Sequence, residues 1–128
     1  MSEEWKKRCE NHVDEHKSLK HLHITDHQGT PYGSSSPDFQ LSPEFVLQLK
    51  SLLTDEKDTS FTFMNEKYII IRRDQTSFIS RCLKKSILFH ITPKLCLVGQ
   101  TVDDILNNCN PGNHAMSCIC DYYKKYNY

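Results

Sequence analysis

Lys67-Tyr68-Ile69-Ile70-Ile71-Arg72 is a β-branched run with a basic residue at each end, and it sits inside a longer stretch whose period is two. Phe61 and Phe63 alternate with polar residues before it, and Asn65-Glu66 reads as the turn between the two segments. Further strands fit Ser77 to Arg81, Ser86 to Ile91 and Leu95 to Gly99, separated by Lys84-Lys85 and Thr92-Pro93-Lys94. The second half of the chain therefore reads as an antiparallel meander.

The sequence before the meander reads as helix, hairpin and helix. Ser2 caps a helix whose first turn carries Glu3 and Glu4, and Trp5, Cys9 and Val13 recur at spacings of four until the helix ends near Lys17. Leu22 and Ile24 begin a strand that turns through Asp26-His27-Gln28-Gly29 into a second strand from Thr30 to Ser34. Ser34-Ser35-Ser36-Pro37 is a polar connector. Ser42-Pro43-Glu44 then starts a core helix with a broad apolar face of Phe45, Val46, Leu49, Leu52 and Leu53. Beyond the meander, Thr101-Val102-Asp103-Asp104 predicts a short helix stopped by Asn110-Pro111-Gly112, and a last helix spans about Asn113 to Lys125. This order predicts an α/β fold of the α+β kind: a central antiparallel sheet of about six strands, the terminal helices side by side on one face, and a further helix on the other.

The bulk properties are those of one globular domain over residues 1–128, with 38% hydrophobic and 25% charged residues and a net charge of zero. Overall neutrality argues against nucleic acid as a partner. A charged N-terminus and the lack of a long apolar run predict a soluble cytosolic protein, in which all six cysteines stay reduced and serve as small apolar fillers. His12 with His16, and His21 with His23, have spacings that zinc accepts, but a third ligand in register is wanting, so no metal or cofactor is expected. No Gly-x-Ser-x-Gly elbow or phosphate-binding glycine loop is present among only four glycines, and no catalytic activity is expected.

Two constellations point to binding. Between Lys67 and Lys94 seven basic residues (Lys67, Arg72, Arg73, Arg81, Lys84, Lys85, Lys94) face one acid, Asp74, a local net charge of +6 in a neutral chain. That block fits an acidic protein surface or anionic lipid headgroups, or else a solvated sheet face. The second is the tail Asp121-Tyr122-Tyr123-Lys124-Lys125-Tyr126-Asn127-Tyr128, in which Tyr122 and Tyr126 share a helix face and Tyr123 packs inward. Set beside Trp5, these rings make a ridged groove for proline-rich segments, whose polyproline II backbone is preordered; the alternative is that they seal a small core.

In the order and spacing of these short motifs the chain resembles the profilins over nearly its whole length. The resemblance rests on Met-Ser with the nearby Trp5, Tyr32 after the first hairpin, Ser34-Ser35-Ser36-Pro37 with Ser42-Pro43-Glu44, the run from Lys67 to Arg72 with Ser77 to Arg81 behind it, and Asp121-Tyr122-Tyr123 with Tyr128. It implies a cytoplasmic, cytoskeleton-associated protein whose partners are monomeric actin, proline-rich proteins and anionic phosphoinositides. By position, it implies a polyproline groove of Trp5, Tyr32, Tyr122 and Tyr128, with Arg8 where many profilins carry a second aromatic. Lys67, Arg72, Arg81 and His90 are implied to meet actin. Arg73, Lys84, Lys85, Lys94, Lys124 and Lys125 are implied to meet phosphoinositides. Asp103 and Asp104, added near the expected actin rim, suggest the alternative of a profilin-like lipid and proline-rich adaptor with weak or no actin binding.

Overall fold

The computed structural model describes residues 2–103 and 109–128. Helix α1 spans Glu3–Glu15, and the Ser2 hydroxyl accepts the Trp5 N–H at 3.2 Å, so the expected cap forms. Helix α2 spans Pro43–Ser51 and repeats the device, with the Ser42 hydroxyl accepting the Phe45 N–H at 3.2 Å. Helix α3 spans Cys109–Lys125. A short 3₁₀ turn, Pro37–Phe39, follows the serine connector and buries Phe39.

The strands are β1 (Leu19–Thr25), β2 (Pro31–Ser34), β3 (Ser60–Phe63), β4 (Glu66–Arg73), β5 (Ser77–Cys82), β6 (Lys85–Ile91) and β7 (Cys96–Thr101). They form one antiparallel sheet in the order β2-β1-β7-β6-β5-β4-β3. The N-terminal hairpin thus extends the meander through the β1–β7 pairing. Seven strands stand where about six were expected. Met64 and Asn65 both take positive φ, 50° and 63°, the conformation of a two-residue hairpin turn, so the turn falls one residue earlier than Asn65-Glu66 and Glu66 opens β4.

Alternation along the strands divides the core between the two faces. Leu22, Ile24, Leu88 and Leu97 pack with Cys9 of α1 and with Ala115, Met116, Ile119 and Tyr123 of α3. Phe61, Tyr68, Phe78, Phe89 and Val98 pack on the opposite face with Phe39 and with Val46 and Leu49 of α2. Each large side chain buried this way contributes about 1.5–3 kcal/mol. Cys9, Cys96, Cys109 and Cys120 are buried fillers as expected, and burial pushes the Cys9 and Cys120 thiols up to about 12; Cys118, by contrast, is exposed.

The Asn110-Pro111-Gly112 stop requires correction, because those residues form the first turn of α3. First-turn N–H groups have no intrahelical acceptor, so a proline costs nothing there. Gly112 faces the sheet, where an added Cβ would lie 2.8 Å from Thr101 Cγ2. Thr101 ends β7, and the remainder of the predicted short helix falls, beyond Asp103, outside the described residues.

Gly33 fixes how closely α1 approaches. A Cβ there would stand 2.7 Å from the Trp5 carbonyl carbon and 2.9 Å from the Lys6 nitrogen, both backbone atoms that cannot move without shifting the helix. Gly33→Ala is expected to cost about 2 kcal/mol of stability through this overpacking. Chemical denaturation measures it, and an unchanged midpoint would show that α1 yields freely.

Candidate functional site

The capped start of α1 and the close approach at Gly33 hold Trp5 over the β2 edge, beside Tyr32. Their ring centroids are 5.1 Å apart. From the other terminus, Tyr123 stacks on Trp5 at 5.4 Å and 28°, and Tyr128 meets it edge-on at 5.4 Å. Tyr123 is 1% exposed, whereas Trp5, Tyr32 and Tyr128 are each half-buried and open to a ligand. The tail holds its position through main-chain bonds. Asn127 adopts φ 68°, the Tyr128 N–H donates to the Tyr123 carbonyl at 3.1 Å, and a main-chain oxygen of Tyr128 accepts from the Thr92 hydroxyl at 2.7 Å and the Lys94 N–H at 2.8 Å.

Tyr122, the fourth ring expected in this groove, lies to one side of it. Its ring neighbours are His12, Tyr123 and Tyr126, at 5.6, 5.0 and 5.1 Å. It lines a concavity of about 260 Å³ between α1 and α3, together with Arg8, Asn11, His12, Glu15 and His16. The floor of the seam is polar at one point, where His12 Nε2 and the Tyr123 hydroxyl share a hydrogen bond of 2.8 Å. Burial holds the His12 imidazole below its ordinary range and pushes the Tyr123 phenol up. Arg8 lies with its guanidinium carbon 4.8 Å from the Trp5 ring centroid and pairs with Glu4 at 2.6 Å.

A second surface forms where β4 and β5 project beyond α3. Tyr68 and Ile70 point into the α2-side core, so Lys67 and Ile69 alternate to the opposite face, and Arg81 is the Cα partner of Ile69 across the β4–β5 ladder. Ile69 and Ile71 remain 52% and 54% exposed. Arg72 lines a concavity of about 270 Å³ with Asp74, His90, Asn113, Asp121 and Lys124. His90 is buried there, its Nε2 2.7 Å from Asn113 Oδ1, and burial holds it below the ordinary histidine range. Lys67, Arg72, Arg81 and His90 thus share one side of the sheet. Asn113 and Asp121 of α3, which the sequence did not assign to this surface, complete it.

The remaining cations do not gather into one patch. Arg73 points to the α2 side, where its Nη1 donates to the carbonyls of Leu52, Asp55 and Asp58 at 2.6, 2.9 and 3.0 Å and closes the loop after α2. Lys85 pairs with Glu66 at 2.8 Å on the same side. Lys84 is exposed in the β5–β6 turn, and Lys94 adjoins the Tyr128 main chain at the opposite end of β6. Lys124 and Lys125 are exposed in the last turn of α3. Among the described residues no three His, Cys, Asp or Glu side chains converge as metal ligands, and no helix is long and apolar enough to cross a membrane.

An antiparallel sheet carrying paired terminal helices on one face and a single helix on the other, with aromatic rings along the terminal seam, defines the α+β architecture of the profilins. The Profilin family model matches residues 3–128, and the chain belongs to the profilin family. Its fold superposes on Acanthamoeba castellanii profilin IA with a TM-score of 0.83 at 16% identity, covering 97% of this chain and 99% of that one. A Schizosaccharomyces pombe profilin gives a TM-score of 0.82 at 20% identity, with coverage of 97% and 99%. LokiProfilin1, in a structure of its complex with rabbit actin, gives 0.67 at 13% identity, with coverage of 95% and 98%. No curated protein sequence matches the chain.

Proposed function

We propose that this protein binds monomeric actin and regulates its assembly in the cytoplasm, recruiting proline-rich partners through the seam between its terminal helices. The observation that carries the reading is the face on β4 and β5, where two half-exposed isoleucines, Ile69 and Ile71, stand among Lys67, Arg72 and Arg81. A sheet face that leaves β-branched residues in water beside cations suits an apolar, acidic-rimmed protein surface. Membership of the profilin family, and the LokiProfilin1 complex with rabbit actin, support actin as that surface. Trp5, Tyr32 and Tyr128 form the polyproline groove in this reading, with Tyr122 at its margin. Phosphoinositide headgroups fall to Lys94, Lys124 and Lys125 around the C-terminal tail and to Lys84 in its separate turn, because Arg73 and Lys85 are engaged within the fold.

Pyrene-actin assembly tests the reading. The protein is expected to slow assembly of actin monomers, and Arg72→Glu, which reverses an exposed charge beside the isoleucines, to weaken that effect roughly tenfold while polyproline retention persists. An equal loss of both activities would indicate misfolding, and assembly unaffected by the unmodified protein would remove actin from the function. In that second case, strong binding to phosphoinositide vesicles would select a lipid and proline-rich adaptor.

A further inference from the structure

The groove has a positive flank. Arg8 stands one turn after Trp5 on α1, its guanidinium against the indole, and it also lines the concavity between α1 and α3. A guanidinium carries five N–H donors, and here Arg8 Nη2 donates to Glu4 Oε1. That pair is exposed, with the Glu4 side chain 70% accessible, so an incoming carboxylate can replace it at little cost. Of the other ionisable groups around the concavity, His12 is kept neutral by burial, His16 lies two turns further along α1, and Glu15 is the one carboxylate, at the end remote from Trp5. Arg8 is therefore the fixed charge that a ligand meets on leaving the Trp5 ring.

We infer that the seam selects proline-rich segments that carry an aspartate or glutamate next to the proline run, with Arg8 as the residue that determines this specificity. The inference rests on the polyproline reading of the groove. Prolines stack against Trp5, Tyr32 and Tyr128, and the flanking carboxylate takes the place of Glu4 on Arg8 through a charge-assisted hydrogen bond. Two features of the site favour this ligand over a uniform proline tract. The concavity that Arg8 shares with Ile119 and Tyr122 also carries Asn11, His12 and Glu15, so polar groups stand where a segment running off Trp5 past Arg8 arrives. A guanidinium already held against an aromatic ring also loses less freedom on binding than an unrestrained one.

Fluorescence of Trp5, the single tryptophan, measures the binding. Four synthetic peptides are titrated into the protein: ten prolines alone, ten prolines with two glutamates at the N-terminal end, the same at the C-terminal end, and ten prolines followed by two lysines. One of the glutamate peptides is expected to bind roughly tenfold more tightly than proline alone, an advantage that shrinks as salt is raised, and the lysine peptide more weakly. In Arg8→Gln, checked for folding by circular dichroism, the ratio between glutamate and plain peptide is expected to fall to about one. Equal affinity for glutamate and plain peptides, or a ratio that survives Arg8→Gln, would overturn the inference while leaving the groove intact. No binding of any peptide would overturn the groove itself, and the inference with it.

Discussion

Trp5→Ala is expected to abolish retention on immobilised polyproline, with affinity falling at least roughly a hundredfold, the range of an interface hot spot. Trp5 is the ring on which both termini converge, 5.1 Å from Tyr32 and 5.4 Å from both Tyr123 and Tyr128. Each such pair is worth about 0.5–1.5 kcal/mol beyond the area it buries. Truncation removes the central stacking surface and leaves Tyr32 and Tyr128 facing across a gap. The same change costs stability as well, about 2–3 kcal/mol, below the usual value for a fully buried tryptophan because Trp5 is half-buried. Lost retention must therefore be separated from lost folding. Lys67, Arg72 and Arg81, the residues proposed to face actin, lie on other elements, so the effect on pyrene-actin assembly is expected to survive in Trp5→Ala. Unchanged retention would sink the groove assignment.

The elements themselves were legible because their signals are local. Ser2 and Ser42 cap the helices that they precede, and the change to a period of two at Phe61 marks the start of the meander. Asn110-Pro111-Gly112 misled because a proline and a glycine mark a helix stop in one dimension, whereas here the proline occupies a first turn and the glycine admits the sheet. The distribution of charge was hidden for a different reason. Strict alternation from Tyr68 and Ile70 would send Arg72 to the α2 face and Arg73 to the other. The ladder slips between Ile70 and Arg72, so that Arg72 pairs with Ile79 and Arg73 with Phe78, and the two arginines exchange faces. That bulge puts Arg72 beside α3 and Arg73 into the carbonyls of the loop after α2. A contiguous +6 segment consequently does not become one patch. Tyr122 shows the same limit: its pairing with Tyr126 and the inward packing of Tyr123 follow from the sequence, but that Tyr123 stacks on Trp5 while Tyr122 lies beside the groove depends on how the whole helix seats.

Acidification from pH 6.5 to pH 4 is expected to remove about 3 kcal/mol of folding stability through His23 alone. His23 sits in the middle of β1, 1% exposed, and among the described residues neither ring nitrogen has a hydrogen-bond partner. Burial lowers its pKa from the ordinary 6.5 to about 4. Above pH 6.5 the ring is neutral in both the folded and the unfolded chain, and protonation has no effect on stability. Below it the unfolded chain gains a proton that the folded chain refuses, so stability falls by about 1.36 kcal/mol per pH unit until the folded pKa is reached. His12, His21 and His90 are also lowered by burial and steepen the decline in the same direction. His23→Leu isolates the contribution. Because the imidazole makes no hydrogen bond, an apolar side chain of similar size sacrifices none, and the variant is expected to be at least as stable as the parent at pH 7. Denaturant unfolding at pH 7, 5.5 and 4 should then give the variant the shallower decline, by about 3 kcal/mol over the range. Parallel declines in the two proteins would mean that His23 takes up its proton without unfolding, and that the interior of β1 opens to water before the rest of the sheet.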